Sequence, residues 1–350
     1  MTEQFRLGIT RDCLAPDGDR PAFGPAAFAV LESAPHVSWE FLPEYTSEIS
    51  PADAAGYDAV LALRPSVTAA TVSGTPRLKL LARFGAGFDS VDLAACERAG
   101  VLVTNTPDGV RRPVATTNLT FVLALSHKLM IKDRLTRTGR WMERTRFMGE
   151  GLVGKVFGSI GFGSIARETF RMLRPLDMVH LAHSPRAHPE AANELGVRQV
   201  DLETLLRESD FVSLNCPLNP ATRGMIGAGA LALMKSTAYL INTARGAVVD
   251  EPALYAALAE GRIAGAALDV FAQEPVDAAN PILQLDNVIV SPHSLCWTDE
   301  CYRGIAESAF RSVVAVATGQ VPENLVNPGA LEHARWKQTG AFPPEREVGP

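Results

Sequence analysis

Short apolar runs alternate with helical patterns of ten to fifteen residues along most of this chain. Such an alternation is typical of parallel sheets whose strands are connected by helices. The pattern occurs twice, and it predicts five strands in the first third of the chain and six strands from Lys155 onward. The predicted strands are Leu7–Thr10, Val37–Phe41, Asp58–Leu63, Leu80–Phe84, Val101–Asn105, Val156–Ile160, Met178–Ala182, Phe211–Leu214, Ala238–Asn242, Ala264–Val270 and Val288–Ser291.

Segments outside these strands suggest how the chain passes between two domains. Two tight loops, 107–113 and 292–298, are predicted to be the crossings, because the helical stretch 299–317 has no place in the second sheet. The final segment, 331–350, is rich in proline, glycine and charge, and we expect it to form an extended tail.

Composition excludes several classes of protein. The 350 residues are 47% hydrophobic, which is enough for two cores, and the net charge of −6 with scattered basic residues argues against nucleic-acid binding. The longest apolar run, 119–131, is interrupted by polar residues, and the N-terminus lacks a signal-peptide pattern, so we expect neither a membrane span nor secretion. The five cysteines show no metal-ligand spacing, which predicts no metal site and reduced thiols in the cytoplasm. They are Cys13, Cys96, Cys216, Cys296 and Cys301.

A glycine-rich turn opens the second series of strands. The strand 156–160 is followed by Gly161-Phe162-Gly163-Ser164-Ile165-Ala166 and then by a helical pattern. In this GxGxxA arrangement the first glycine allows a tight turn, the second lets a pyrophosphate approach the backbone, and Ala166 permits close packing of helix on strand. We therefore predict a dinucleotide site that includes Gly161, Gly163, Ser164 and Ile165.

Three chemically active side chains follow three successive predicted strands. Arg245, Glu274 and His293 come after the fourth, fifth and sixth strands of the second series. Taken singly, each could be a surface cation, a solvated carboxylate or a polar residue in a turn. Since the carboxyl ends of parallel strands meet at one edge, together they predict a site. There a guanidinium holds a carboxylate, a histidine moves a proton, and a glutamate fixes the imidazole.

Five stretches then resemble one family in the correct order. RFGAGFDSVDL (83–93), VFGSIGFGSIA (156–166), INTARGAVVD (241–250), ALDVFAQEP (267–275) and SPH (291–293) are similar to the D-isomer-specific 2-hydroxyacid dehydrogenases, of the glyoxylate/hydroxypyruvate reductase kind. The resemblance extends to about residue 327. It implies an α/β fold of two doubly wound parallel-sheet domains, with the active site in the cleft. A flavodoxin-like substrate domain would comprise residues 1–107 and 297–330, and a Rossmann nucleotide domain residues 108–296.

The resemblance also assigns roles to residues. Arg245 would bind the substrate carboxylate, His293 would be the general acid/base, and Glu274 would be its partner. The implied substrate-binding residues are Arg64, Gly85, Ala86, Gly87 and Trp297, and the further implied cofactor-binding residues are Cys216, Pro217, Thr243, Ala244 and Asp269. For Cys216 we favour packing beside the cofactor over thiol chemistry, because no base or metal partner is indicated.

The implied reaction is hydride transfer between a nicotinamide and C2 of a 2-oxo or D-2-hydroxy acid. Two other hypotheses stay open: an NAD(H)-sensing corepressor-like binding protein, and a phosphite-type dehydrogenase of the same fold. A formate dehydrogenase is disfavoured, because that group carries glutamine where this chain has Glu274.

Two departures from the family pattern affect the substrate pocket and the assembly. After His293 the chain reads Ser-Leu-Cys-Trp where the family has small residues, and Trp297 could line the pocket or pack between domains. The long helix predicted after Pro113 begins Val-Ala-Thr-Thr-Asn-Leu, and its apolar continuation to Ile131 favours an interface, so we expect a homodimer.

The stretch LAHSPR (181–186) bears on the choice of cofactor. Ser184 lies 23 residues after Gly161 (184 − 161), where a carboxylate would normally accept hydrogen bonds from the adenosine ribose. A carboxylate would repel a 2′-phosphate, whereas Ser184 can donate to one and Arg186 can pair with its charge. This favours NADP over NAD. The alternative is an exposed arginine in a turn set by Pro185, with NAD as the cofactor.

Overall fold

The computed structural model describes residues 4–15, 17–18 and 20–339. They form two compact units. Unit 1 comprises the described residues up to Val110 together with those from Thr298 onward, and unit 2 comprises Arg111–Trp297.

Each unit contains one parallel sheet. The strands are β1 (Phe5–Ile9), β2 (Val37–Phe41), β3 (Ala59–Ala62), β4 (Leu80–Arg83), β5 (Leu102–Thr104), β6 (Val156–Ile160), β7 (Val179–His183), β8 (Val197–Gln199), β9 (Phe211–Leu214), β10 (Tyr239–Asn242), β11 (Gly265–Leu268) and β12 (Val288–Val290). The sheet of unit 1 has the order β2-β1-β3-β4-β5, and that of unit 2 has the order β12-β11-β10-β9-β6-β7-β8. Both orders are doubly wound, of the flavodoxin and dinucleotide-binding kinds respectively, which confirms the predicted fold class.

Helices connect the strands. They are α1 (Ala29–Glu32), α2 (Pro51–Ala55), α3 (Ala69–Val72), α4 (Leu93–Arg98), α5 (Pro107–Ser126), α6 (Leu129–Arg137), α7 (Ser164–Leu173), α8 (Pro189–Leu195), α9 (Leu202–Glu208), α10 (Ala228–Leu233), α11 (Glu251–Ala259), α12 (Asp299–Ala317) and α13 (Ala334–Thr339). No single helix in the described ranges is long and apolar enough to cross a membrane. The pair α5 and α6 together meets that measure of length and composition, with a bend of 58° between them.

The sheet of unit 2 is buried on both faces. One apolar cluster, around Ile160, Leu240 and Leu268, fills one side, and a second, around Phe157 and Phe170, fills the other. A strand with two buried faces is apolar at nearly every position. This is why the central strands are so clear in the sequence.

Unit 2 has seven strands rather than the predicted six. The additional strand, β8, has three residues and lies at the edge of the sheet, where it pairs with β7. Only Val197 of β8 is buried. A short edge strand with polar residues lacks the continuous apolar run on which the prediction relied.

The segment 107–113 is not a loop as predicted, since these residues form the first turns of α5, although the boundary between the two units, Val110/Arg111, lies within it. Pro107 occupies the first helical position, where its fixed φ suits a helix and its missing N–H costs no hydrogen bond.

The long apolar helix expected to continue to Ile131 is broken. Lys128 adopts a left-handed conformation (φ 53°), and α6 begins at Leu129.

The prediction of an extended tail from residue 331 is wrong for residues 334–339. Residues 334–339 form α13, and Trp336 is buried, with its indole N–H donated to the carbonyl of Gly100 at 2.9 Å. The guanidinium of Arg335 donates to the carbonyl of Leu78 at 2.7 Å. These contacts fasten the segment to unit 1, while residues 340–350 lie outside the described part of the chain.

Candidate active site

The glycine turn lies where the strand order of unit 2 reverses. Gly161 follows β6, and Asn215 and Cys216 follow its neighbour β9. Gly161 has φ 106°, and a Cβ there would come within 2.4 Å of the Asn215 carbonyl oxygen, so only glycine fits. In doubly wound sheets, ligands bind in the crevice at this reversal.

The start of α7 fits a pyrophosphate. A Cβ on Gly163 would meet no heavy atom within 4 Å, which leaves the backbone open to a ligand. The N–H groups of Ser164 and Ile165 begin α7 and have no partner within the helix. Ala166 is fully buried in the core cluster of Phe157 and Phe170, as close packing of helix on strand requires. These features suit the phosphates of a dinucleotide.

A buried polar network supports this turn. Asn118 of α5 is fully buried and donates to Thr169 Oγ1 and to Asn215 Oδ1, both at 3.2 Å. Its Oδ1 accepts from Thr243 Oγ1 at 2.9 Å. Asn215 in turn donates to Ser159 Oγ, and that hydroxyl donates to the Gly161 carbonyl. The network therefore joins the glycine turn to Thr243, a predicted cofactor contact. Asn118 was not predicted as a site residue, because its only signal in the sequence is an amide in an apolar helix.

Arg245 and Ala244 lie in a tight turn after β10. The buried Asn242 side chain accepts from the Ala244 N–H and donates to the Arg245 carbonyl, both at 3.0 Å. The Arg245 Nη1 donates to the Ala244 carbonyl at 2.7 Å. Asn242, for which no role was predicted, thus fixes the main-chain turn that carries the arginine.

His293 and Glu274 are paired at the ends of β12 and β11. The His293 Nδ1 and Glu274 Oε2 are 2.7 Å apart. Both side chains are partly exposed, at 44% and 38% respectively. A carboxylate can only accept, so the proton between them belongs to Nδ1. The Nε2 atom is then the one that can exchange a proton with a ligand.

The surroundings of Glu274 keep it ionised. Burial acts to raise the pKa of its carboxyl, but the hydrogen bond and charge of His293, the N–H of Phe271 and the charge of Arg245 together bring the pKa below its ordinary value of 4.5. The Phe271 N–H donates to Oε1 at 3.0 Å. A persistent carboxylate keeps accepting the hydrogen bond from Nδ1 and so holds the imidazole in one orientation.

Asp269 fastens the loop that carries His293. This buried residue follows β11, and its Oδ1 accepts from the Ser291 hydroxyl at 2.6 Å and from the N–H groups of Ser294 and Leu295 at 3.0 and 3.2 Å. His293 itself has φ 53°, in the left-handed region that non-glycine residues rarely adopt. The bonds on both sides of it hold this conformation. Asp269, predicted as a cofactor contact, thus also positions the histidine loop.

The cofactor residues predicted after β7 and β9 lie on either side of the glycine turn. Ser184 follows β7, and the Gly161 N–H donates to the neighbouring His183 carbonyl at 2.8 Å. Arg186 is exposed. Cys216 is partly buried, which raises the pKa of its thiol, and Pro217 is exposed beside it. A raised thiol pKa agrees with the preference for packing over thiol chemistry.

The predicted substrate residues Arg64, Gly85, Ala86 and Gly87 belong to unit 1 and follow its neighbouring strands β3 and β4. The Gly85 N–H donates to Thr106 Oγ1 at 2.9 Å and is thereby engaged. In the described residues, the N–H groups of Ala86 and Gly87 make no such bond. The Arg64 N–H donates to Asp12 Oδ2 at 2.7 Å.

Trp297 belongs to unit 2, where its N–H donates to the Ser294 carbonyl at 2.9 Å and its side chain is 39% exposed. Both hypotheses for this residue stay open.

Known proteins are similar to this chain in sequence and in architecture. Residues 119–294 match the family model "D-isomer specific 2-hydroxyacid dehydrogenase, NAD binding domain". The glyoxylate reductase of Thermococcus litoralis is 40% identical over 266 residues, which cover 74% of this chain and 80% of that protein. The glyoxylate reductase of Aeropyrum pernix is 40% identical over 262 residues, covering 73% and 78%.

A crystal structure of a glyoxylate reductase from Paecilomyes thermophila matches with a TM-score of 0.80 at 27% identity, over 93% of this chain and 99% of that one. Sequence, family model and structure thus agree on an NAD(P)-dependent oxidoreductase of 2-hydroxy and 2-oxo acids. The chain belongs to the D-isomer-specific 2-hydroxyacid dehydrogenase family.

Proposed function

We propose that this enzyme reduces glyoxylate, or a 2-oxo acid of similar size, and that it prefers NADPH to NADH. The observation that carries the proposal is the 2.7 Å pair of His293 and Glu274, with Arg245 at the end of the neighbouring strand. The substrate is suggested by the glyoxylate reductases to which the chain is similar.

His293 serves as the proton donor in this proposal. Its Nδ1–H is donated to Glu274, so the proton that passes to the oxygen on C2, as the carbonyl becomes a hydroxyl, is the second proton of the protonated imidazole, on Nε2. The bound nicotinamide supplies the hydride that adds to C2. Because Glu274 is ionised, it accepts from Nδ1 before and after the transfer and keeps the ring oriented.

Arg245 binds the carboxylate of the acid. Its planar guanidinium suits bidentate pairing, and the hydrogen bond to the Ala244 carbonyl limits its rotation. A cation near the reacting carbonyl also stabilises the negative charge that develops on its oxygen.

Ser184 and Arg186 support the preference for NADPH. Position 184, directly after β7, holds a hydroxyl rather than a carboxylate. The Arg186 N–H donates to Ser184 Oγ at 3.3 Å, which leaves the hydroxyl hydrogen to donate to a 2′-phosphate. The exposed Arg186 guanidinium supplies the opposite charge.

The exposed apolar surface of α5 and α6 supports a homodimer. Leu123, Leu129 and Met130 are 37%, 55% and 52% exposed. Clustered exposed apolar side chains commonly mark a protein interface.

Replacing His293 tests the proposed chemistry. We expect His293→Gln to lower kcat for glyoxylate reduction by about two to four orders of magnitude, measured from NADPH absorbance. The Kd for NADPH should change little, because the phosphate-binding turn is untouched. His36→Gln, at an exposed position of unit 1, serves as the matched control. Near wild-type turnover in His293→Gln, or no turnover of glyoxylate or hydroxypyruvate by the wild type, would contradict the proposal.

A further inference from the structure

The side chain of Gln199 bridges two main-chain groups of the loop 184–188. Gln199 is the last residue of β8. Its Oε1 accepts from the His188 N–H at 2.8 Å, and its Nε2 donates to the Arg186 carbonyl at 3.2 Å. Both ends of one amide are therefore bonded to the loop that bears the proposed 2′-phosphate contacts.

This loop has few other supports at its tip. Pro185, Arg186 and Ala187 are all exposed, so packing does not fix them. Pro185 restricts one φ angle, and the Arg186 N–H bonds only locally, to Ser184 Oγ. The Gln199 amide is the contact that ties the Arg186 backbone to the sheet.

The amide bridge is separate from the pairing of the strands. The ladder aligns His180, Leu181 and Ala182 of β7 with β8 through main-chain groups. The Val200 N–H continues this pairing, because it donates to the Ala182 carbonyl at 2.9 Å. Changing the Gln199 side chain therefore leaves the strand register in place.

We infer that Gln199 is a positioning residue for cofactor choice, which holds Ser184 and Arg186 where they meet the 2′-phosphate of NADPH. The inference rests on the proposed preference for NADPH. Without the bridge, the loop spends less time in the arrangement that binds phosphate, and the apparent affinity falls by that fraction. NADH has a hydroxyl at this position, so its binding depends much less on the loop.

The test compares both cofactors in three single variants and in the double variant Gln199→Met/Arg186→Ala. Gln199→Met keeps the length of the side chain but makes neither hydrogen bond. Arg186→Ala removes the proposed phosphate contact itself. Gln284→Met, at an exposed position of unit 2, is the matched control. The measurements are kcat and KM for NADPH and for NADH at saturating glyoxylate, and the Kd of adenosine 2′-monophosphate and adenosine 5′-monophosphate by calorimetry.

We expect Gln199→Met to lower kcat/KM for NADPH by about three- to tenfold, as the loss of two weak hydrogen bonds suggests. Its kcat at saturating NADPH and its kcat/KM for NADH should stay within about twofold of wild type. Arg186→Ala should lower the ratio of kcat/KM for NADPH to kcat/KM for NADH at least as much as Gln199→Met does. The double variant should show little further loss, because both changes act on one phosphate contact.

The outcomes distinguish a failure of the positioning role of Gln199 from a failure of the proposed preference for NADPH. If Arg186→Ala lowers the ratio but Gln199→Met does not, the positioning role is overturned and the phosphate site stands. If Gln199→Met lowers kcat/KM for both cofactors equally, the residue has only a structural role and the inference again fails. If neither variant changes the ratio, or the wild type prefers NADH, the proposed phosphate site is wrong and the inference falls with it.

Discussion

Two carboxylates near His293 differ in role because their partners differ. One oxygen of Asp269 is used by three donors of the histidine loop, whereas Glu274 directs an oxygen at the imidazole. The sequence predicted Glu274 from its place beyond a strand end, whereas Asp269 was implied only by the family resemblance. It could not predict this division of roles, because hydrogen-bond partners depend on the path of the loop. The φ of 53° at His293 could likewise not be predicted from its residue type.

Outside the site, His180 makes stability depend on pH. It is buried and packs against Phe170 with ring centroids 5.0 Å apart, and burial lowers the pKa of its imidazole below the ordinary 6.5. The unfolded chain therefore binds a proton near pH 6.5 while the folded chain still does not. Folding stability is lost as the pH falls from 6.5 toward the lower pKa of the folded state.

We expect His180→Leu to reduce this loss. The measurement is the free energy of unfolding in urea at pH 7.5, 6.5 and 5.5, for wild type, His180→Leu and the exposed control His36→Gln. Acidification should destabilise wild type and the control more than His180→Leu. Parallel pH dependence in all three proteins would show that His180 does not carry the effect.

At the scale of elements, Gly246 lets two strand-end loops meet. A Cβ at this buried position would lie 1.9 Å from the Phe271 carbonyl carbon and 2.3 Å from the Ala272 nitrogen. The Arg245 turn and the segment before Glu274 thus touch backbone to backbone. This contact sets how far the guanidinium stands from the acid pair.

Gly246→Ala should therefore force the two loops apart. We expect a loss of about 1–3 kcal/mol in folding stability and a fall in kcat on the order of 100-fold, since a displacement near 1 Å is enough for that. Gly229→Ala is the matched control. This glycine is exposed in α10 with nothing within 4 Å of its Cβ position, so alanine should raise stability by about 0.5–1 kcal/mol. Thermal unfolding and steady-state kinetics measure both. A Gly246→Ala enzyme with normal activity would contradict this account of the site.

Elements with two buried faces were the predictable ones. Central strands such as β6 and β10 are nearly continuous apolar runs, and their predicted bounds fall within a residue of the observed ones. β8 is held at the edge by main-chain pairing that its polar residues do not reveal. The first turns of α5 contain two prolines that suggested a loop. In both cases the context of the folded chain outweighed the local signal.

On the scale of the whole molecule, the order of strands decides which residues meet. Arg245, Glu274 and His293 are separated by up to 48 positions (293 − 245) of the sequence. They come together because β10, β11 and β12 are parallel neighbours. The sequence supported this prediction since each residue follows a strand. The network around Asn118 was not predictable, because it joins helices and strand ends through buried polar contacts of no fixed spacing.

The distribution of exposed apolar residues leads to a prediction about assembly. Among the described residues, seven of the fifteen exposed large hydrophobic side chains lie between positions 123 and 153. A surface of this kind is costly in water unless another protein surface covers it. In a twofold dimer one patch would serve both subunits. We therefore expect light scattering to give about twice the chain mass of 37.5 kDa.

Charge placed in that surface should separate the subunits. We expect Met130→Glu to shift the mass measured at micromolar concentration toward a single chain, because an unpaired carboxylate in an apolar interface costs several kcal/mol. Val321→Glu, at an exposed apolar position of unit 1 (46% exposed), should leave the mass unchanged. Circular dichroism would verify that both variants are folded. A wild type that scatters as a single chain, or a Met130→Glu variant that keeps the doubled mass, would mean that this surface is not where two copies of the enzyme join.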